Sequence, residues 1–192
     1  TGDEKYVHRT YLYNPTSWIV DRQQMEWIQA SDQQTLVQDT KFAYDGGQVG
    51  TPPTQGNLTW LEAWLDTGAN AIMIYAYDPY GNQIQATDAE GRQTVTAYEA
   101  AYHTFPTSVQ NAQGHITRFT YDPATGNLLT TTDPNGSVTT YGYDTFGRRI
   151  NEIRPGDNVI FPTVSYQYLI DGISPECVMH TRQEISGQTG TL

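Results

Sequence analysis

Four histidines, one cysteine and twenty-one acidic side chains are the groups in this 192-residue chain with the most obvious capacity for chemistry. Nucleophilic catalysis needs a Ser or Cys held against a base that a third group orients. No Gly-x-Ser-x-Gly elbow occurs, and His8, His103, His115 and His180 share no motif with a serine or with Cys177. The histidines lack the i, i+4 spacing of a zinc-binding helix, and Cys177 has no second cysteine for a metal cluster or an internal disulfide. Cys177 reads as a buried, inert thiol. Asp88 and Glu90 lie close together, but the Asp-x-Asp-x-Asp-Gly ladder of a calcium loop is absent, and no spacing marks an acid and nucleophile pair. No catalytic residue, cofactor or metal ligand is assigned, and the chain is expected not to be an enzyme.

The acidic residues have a different regularity. Asp78, Asp88, Asn111, Asp133 and Asp144 are each followed three residues later by glycine: Gly81, Gly91, Gly114, Gly136 and Gly147. The step from Asp122 to Gly126 is one residue longer. An Asp or Asn that opens a type I turn bonds the backbone two residues on, and glycine takes the left-handed position before the next strand. With Asp45, Gly56, Asp66, Glu99 and Gly156, these residues mark a turn about every eleven residues. The spacing predicts one strand and one reversal per beat, hence an antiparallel meander of repeated hairpins in an all-β fold.

Between the turns lie short runs rich in Thr, Tyr, Val and Ile, as strands require. Trp60, Leu61, Trp64 and Leu65 also fit a helix face, but so short a helix is marginal in water, and a strand is expected there and over Trp18 to Ala30. An aromatic, one spacer and a tyrosine recur as Phe42/Tyr44, Tyr75/Tyr77, Phe119/Tyr121 and Tyr141/Tyr143, with Tyr11/Tyr13 and Tyr166/Tyr168 alike and Thr96/Tyr98 weaker. From Tyr77 to Tyr143 these recur about every 22 residues, or two beats. Each pair sits on one face of an alternate strand, and the rings are expected to interleave with small Thr and Ala side chains between them. Packing, rather than sugar stacking, is the expected duty of these rings.

The formal net charge of -11, with no basic run, excludes the footprint a phosphate backbone requires, so nucleic acid is not an expected partner. No window resembles a membrane span, and Thr1-Gly2-Asp3-Glu4 lacks a signal peptide's regions, as expected of a section cut from a longer chain. The sequon Asn57-Leu58-Thr59 reads as incidental. Three segments are expected: residues 1–34 leading in, a repeat sheet over 35–160, and a strand pair and tail over 161–192.

The runs Tyr77-Asp78-Pro79-Tyr80-Gly81-Asn82, Tyr121-Asp122-Pro123, Gly126-Asn127 and Tyr143-Asp144-Thr145-Phe146-Gly147-Arg148 resemble the rearrangement-hotspot (Rhs) or YD-repeat family. With Phe42-Ala43-Tyr44-Asp45, Gly56-Asn57-Leu58-Thr59 and Arg154-Pro155-Gly156-Asp157, residues 35–185 look like the Rhs region of insecticidal toxin-complex B-component relatives. The repeat-defining positions are Tyr44, Asp45, Tyr77, Asp78, Gly81, Tyr98, Tyr121, Asp122, Gly126, Tyr143, Asp144 and Gly147. At Tyr98-Glu99 the pattern departs, with Glu in place of Asp and a longer loop, where the sheet is expected to bulge or turn a corner.

The resemblance implies a curved section of a spiral shell that encloses a toxin or other polypeptide. It also implies adjacent repeats of a larger parent chain as partners, edge-strand self-association of an isolated piece, and a secreted or cell-surface setting of bacterial type. Asp133-Pro134-Asn135-Gly136 resembles the family's self-cleaving element only superficially and is assigned turn duty. The competing reading is an extracellular, adhesin-like module that binds glycans or a protein receptor through exposed aromatics.

Overall fold

In a computed structural model, residues 4–66, 68–170, 175–185 and 188–191 are described. Among these residues every regular element is a strand. The strands are β1 (Tyr6–Asn14), β2 (Ile19–Gln29), β3 (Leu36–Tyr44), β4 (Leu58–Ala63), β5 (Ala71–Tyr77), β6 (Gln83–Thr87), β7 (Gln93–Tyr98) and β8 (Pro106–Gln110). There follow β9 (Ile116–Tyr121), β10 (Leu128–Thr132), β11 (Val138–Tyr143), β12 (Arg149–Ile153), β13 (Val164–Ile170), β14 (Pro175–Ile185) and β15 (Gln188–Thr191).

The chain forms two compact units, residues 1–96 and 97–192, and the boundary falls inside β7, just before Glu99. Within the first unit, neighbours in sequence pair antiparallel from β1 to β7. Within the second, the same holds from β8 to β15. Each is a meander, because short reversals return the chain to the adjacent position in the ladder. Leu58–Ala63, which contains Trp60 and Leu61, is a strand, and so is most of Trp18 to Ala30.

Asp45 and Gly56 are not separate beats. They flank one long reversal between β3 and β4, with no strand between them. Gly46, Gly47, Gly50, Pro52 and Pro53 break any alternation there, and both prolines lack the N–H a ladder needs.

All seven aromatic or weakened pairs fall on the odd-numbered strands β1, β3, β5, β7, β9, β11 and β13. The expected interleaving with small side chains holds only in part. Tyr75 lies across from Ala86, and Phe119 from Thr131, but Phe42 faces Leu61, Tyr141 faces Glu152 and Tyr143 faces Arg149. The pairing shifts by a bulge just before Tyr44, Tyr77 and Tyr143, so the last ring of a strand meets a residue that a two-residue period would not select. Two arginines of the second unit lie over rings of neighbouring strands. The Arg149 guanidinium sits 4.3 Å from the Tyr141 ring centre, and Arg148 sits 4.3 Å from that of Tyr168.

Very little is deeply buried. Among the described residues the buried hydrophobic side chains are Leu12, Ala43, Tyr44 and Val164, and Pro53 is fully enclosed. In the second unit the two faces differ. Phe119, Thr131, Thr139, Tyr141, Glu152 and Val164 share one, while Thr120, Thr130, Thr140, Asn151 and Ser165, with Val138 and Ile153 among them, share the other. The Thr120 and Thr130 hydroxyls lie 2.7 Å apart across the ladder. Cross-strand pairs of this kind contribute about 0.2–1 kcal/mol each, so the sheet is held by many small terms.

The reversals also segregate. Turns after odd strands carry Trp18 (89% exposed), Tyr80, Tyr102 and Phe146 (81% exposed) at their tips, except those after β3 and β9, which hold no aromatic. Turns after even strands carry Asp32, Glu90, Gln113 and Asn135, with Leu65 and residues 159–161 as apolar exceptions. Within each unit, a meander brings every second turn to the same rim, so the two rims differ in chemistry.

Gly136 isolates the backbone contribution of one turn. Its φ is +86° and an added Cβ would meet nothing within 4 Å. Gly136→Ala is expected to cost about 1 kcal/mol through the left-handed backbone alone, and Gly136→Asn less, measured by urea unfolding. Equal stability of all three proteins would show that the turn does not hold this conformation.

Candidate functional site

The polar side chains with the most organised surroundings are those at the reversals. Asp78 shows the plan. Its N–H donates to the Asn82 carbonyl at 2.9 Å, and the Gly81 N–H donates back to the Asp78 carbonyl at 3.1 Å. Its Oδ1 accepts from the N–H groups of Tyr80 and Asn82, both at 2.9 Å. Gly81 has φ +87°, which completes a type I turn with a glycine bulge. Asp88, Asn111, Asp133 and Asp144 repeat this arrangement, each accepting from residues i+2 and i+4. Where Arg92 or Arg148 follows at i+4, its Nε adds a 2.7 Å bond to the second carboxylate oxygen. Charge-assisted bonds of this kind are the stronger class.

Three of the longer reversals each solve the same problem differently. At Asp122 the Gly126 N–H closes on the Asp122 carbonyl at 2.8 Å. The Asp122 carboxylate accepts from the Ala124 N–H and the Thr125 hydroxyl, and that hydroxyl accepts from the Asn127 N–H at 3.3 Å. The threonine relays the bond across the extra residue.

At Asp45, itself at φ +55°, the carboxylate gathers four backbone N–H groups, from Thr54, Gln55, Gly56 and Asn57, at 2.7–3.0 Å. Burial raises its pKa, but the four N–H groups outweigh burial and hold it below the usual carboxylate value.

Glu99 closes the reversal between β7 and β8. Its carboxylate accepts from the N–H groups of Ala101, Tyr102, Thr104 and Phe105, and its own N–H donates to the Phe105 carbonyl. The extra methylene of Glu lets this carboxylate reach N–H groups from Ala101 to Phe105, farther along the loop than the i+2 and i+4 positions that Asp meets in the shorter turns. The N–H groups of Thr104 and Tyr102, followed by those of Ala101 and Phe105, bring its pKa down to about 2.

The tyrosines that precede these acids anchor the strand ends. Tyr44 donates its hydroxyl to the Gln23 carbonyl and Tyr143 to that of Leu128, both at 2.8 Å. Tyr168 reaches the Arg149 carbonyl at 2.9 Å. Each bond runs back to the preceding strand. Tyr121 stacks on Phe105, with ring centres 5.1 Å apart. Burial raises the phenol pKa of Tyr44, Tyr77 and Tyr121. The residues at Tyr44, Asp45, Tyr77, Asp78 and Gly81 lie at two reversals of the first unit. Tyr98, Tyr121, Asp122, Gly126, Tyr143, Asp144 and Gly147 lie at three reversals of the second. They are not gathered into one cleft.

The hydroxyl-to-carbonyl bonds and the four N–H groups around Asp45 have no plain signal in the sequence. The Arg at i+4 in Asp88…Arg92 and Asp144…Arg148 does, since a charge at that spacing returns to the acid. Among the described residues, no group of three or more His, Cys, Asp or Glu is placed to hold a metal ion. No helix among them is long and apolar enough to cross a membrane. The Cys177 side chain lies outside the described residues.

Single-layer antiparallel repeats, closed by acid-clamped turns and carrying tyrosines on alternate strands, define a tyrosine-aspartate repeat sheet. Residues 123–159 match the family described as RHS Repeat. No curated protein matches the sequence.

Among solved structures, the chain is similar to the crystal structure of TcdB2-TccC3, with TM-score 0.37 and 14% identity over 92% of this chain and 12% of that one. It is also similar to TcdB2-TccC3-Cdc42, with TM-score 0.35 and 13% identity over 97% of this chain and 14% of that one. The Photorhabdus luminescens Tc holotoxin pore gives TM-score 0.33 and 15% identity over 85% and 11%. The chain thus spans 11–14% of the length of these chains.

Two outcomes follow from the turn geometry. Glu99 and Asp45, with Asp88, Asp122 and Asp144, bind a proton less readily folded than unfolded. Their stabilisation is complete above the ordinary carboxylate range and is lost as pH falls from there towards 2. Thermal melts should show Tm falling over that window, and Glu99→Gln should flatten the fall while lowering Tm at neutral pH, because its amide NH₂ cannot accept. Tyr143→Phe removes the bond to the Leu128 carbonyl, together with the hydroxyl's interaction with Arg149, and should cost about 1 kcal/mol in urea unfolding.

Proposed function

We propose that this chain is a wall segment of a secreted, bacterial-type Rhs shell, whose faces separate an enclosed polypeptide, such as a toxin, from solvent. The observation that carries this reading is the near-absence of a buried core in a sheet whose faces keep apolar side chains exposed. Ile72, Ile74, Val95, Leu129, Val138 and Ile150 are each at least 36% exposed. Side chains so exposed among the described residues of each unit are left for another part of a longer parent, or its cargo, to cover. The mechanism is enclosure, and no residue here is assigned to turnover. The two chemically unlike faces of the second unit support it, since a wall has an inside and an outside.

The outer edge of β1 is the natural place for a preceding strand of the parent, with 1–34 as entry segment, 35–160 as repeat array and 161–192 as the closing strands. Unpaired edges associate unless they are charged or covered.

The isolated chain should therefore gain mass with concentration in light scattering. In a parent carrying this segment and a downstream polypeptide, that polypeptide should resist added protease until the shell is unfolded. Strictly monomeric behaviour at high concentration, together with free digestion of the downstream polypeptide, would remove the proposal.

A further inference from the structure

Three of the turns after even strands have one plan. In the loops after β6, β8 and β10, the side chains of Asp88, Asn111 and Asp133 accept backbone N–H groups. Gly91, Gly114 and Gly136 close these turns at φ +79°, +82° and +86°. The residue just before the glycine is Glu90, Gln113 or Asn135, and all three are exposed. Asparagine stands before glycine nowhere else in the chain.

The three side chains differ by a methylene, which decides what the next backbone nitrogen can do to them. Attack on the Asn135 side-chain carbonyl carbon by the Gly136 nitrogen closes a five-membered ring. The same attack on Glu90 or Gln113 needs a six-membered ring with one more torsion to fix, so it is far slower. Glycine also leaves the attacking nitrogen uncrowded.

The closed turn holds these groups apart. The Gly136 N–H donates to the Asp133 carbonyl at 3.0 Å, and the N–H groups of Asn135 and Ser137 both donate to Asp133 Oδ1 at 2.8 Å. At the second central position of a type I turn ψ is about 0°, so the Asn135 backbone nitrogen eclipses that of Gly136. Ring closure needs the side chain in that place. It also needs the Gly136 nitrogen to give up a proton that the Asp133 carbonyl engages. Once the turn opens, nothing else stands in the way: no atom lies within 4 Å of where a Gly136 Cβ would be, and water reaches both residues.

We propose that Asn135 is a deamidation site gated by the β10–β11 turn. When the turn opens, the Gly136 nitrogen bonds to the Asn135 side-chain carbonyl carbon. The bond from that carbon to the amide nitrogen breaks, and ammonia leaves with the proton from Gly136. Water then opens the cyclic imide at one carbonyl or the other, leaving aspartate or isoaspartate at position 135. The isoaspartate route carries the chain through Cβ and lengthens the backbone by one atom. The N–H groups of Gly136 and Ser137 then miss Asp133, and the pairing of Thr132 with Val138 loses its closure. Either product places a second negative charge beside Asp133. The change is one-way, so it keeps a covalent trace of openings that the folded chain otherwise reverses.

The test follows the full 192-residue chain in mildly alkaline buffer, with and without guanidinium chloride, by peptide mapping that separates aspartate from isoaspartate. In denaturant Asn135 should convert while Gln113 stays intact. In buffer, conversion should be at least about tenfold slower, since it draws only on the open fraction. Asp133→Ala removes the side-chain acceptor and should speed conversion in buffer about tenfold, whereas Asp133→Asn, whose amide oxygen still accepts, should stay within about twofold of the original chain. Equal rates with and without denaturant, no conversion of Asn135 in denaturant, or an unchanged rate in a folded Asp133→Ala protein would each overturn the proposal.

Discussion

A backbone that reverses direction leaves N–H groups with no partner across the ladder. In this chain carboxylates supply the partner at most of the reversals described, with an Asn amide oxygen in that place at Asn14, Asn111 and Asn158. The bond from such a side chain to its own turn is what every other feature of the sheet relies on. It fixes where each strand starts, and so which side chains share a face. It also lets the protein carry a large negative charge with few cations, because most turn acids are met by backbone dipoles. Arg92 and Arg148 add to this at two turns without being its basis.

The same device scales with loop length. A three-residue loop is spanned by Asp alone, a loop one residue longer by Asp122 with Thr125 as relay, and the reversal after β7 by the longer Glu99. The largest, after β3, places Asp45 itself in a left-handed conformation so that one carboxylate meets four consecutive N–H groups. What looks like decay of a repeat at Tyr98-Glu99 is an adjustment of reach.

Local chemistry was the legible part. Asp-x-x-Gly spacing specifies a turn within five residues, so the meander and the strand positions of the paired aromatics could be read directly from residues such as Asp78, Gly81 and Tyr77. Two things were not readable. The reversal from Asp45 to Asn57 reads as two beats, because its single clamp acts over twelve positions and leaves no periodic trace. The partners of the rings depend on bulges before Tyr44, Tyr77 and Tyr143, and one extra residue there changes which side chain lies opposite.

The unlike rims bear on how such an array grows. Adding or losing one strand with its turn would send every later tyrosine and every later aromatic tip to the opposite side. Only pairs of strands, about 22 residues, preserve the arrangement. Length in this architecture is therefore counted in hairpins, and a change by a half-unit is a change of handedness in what the band shows its neighbours.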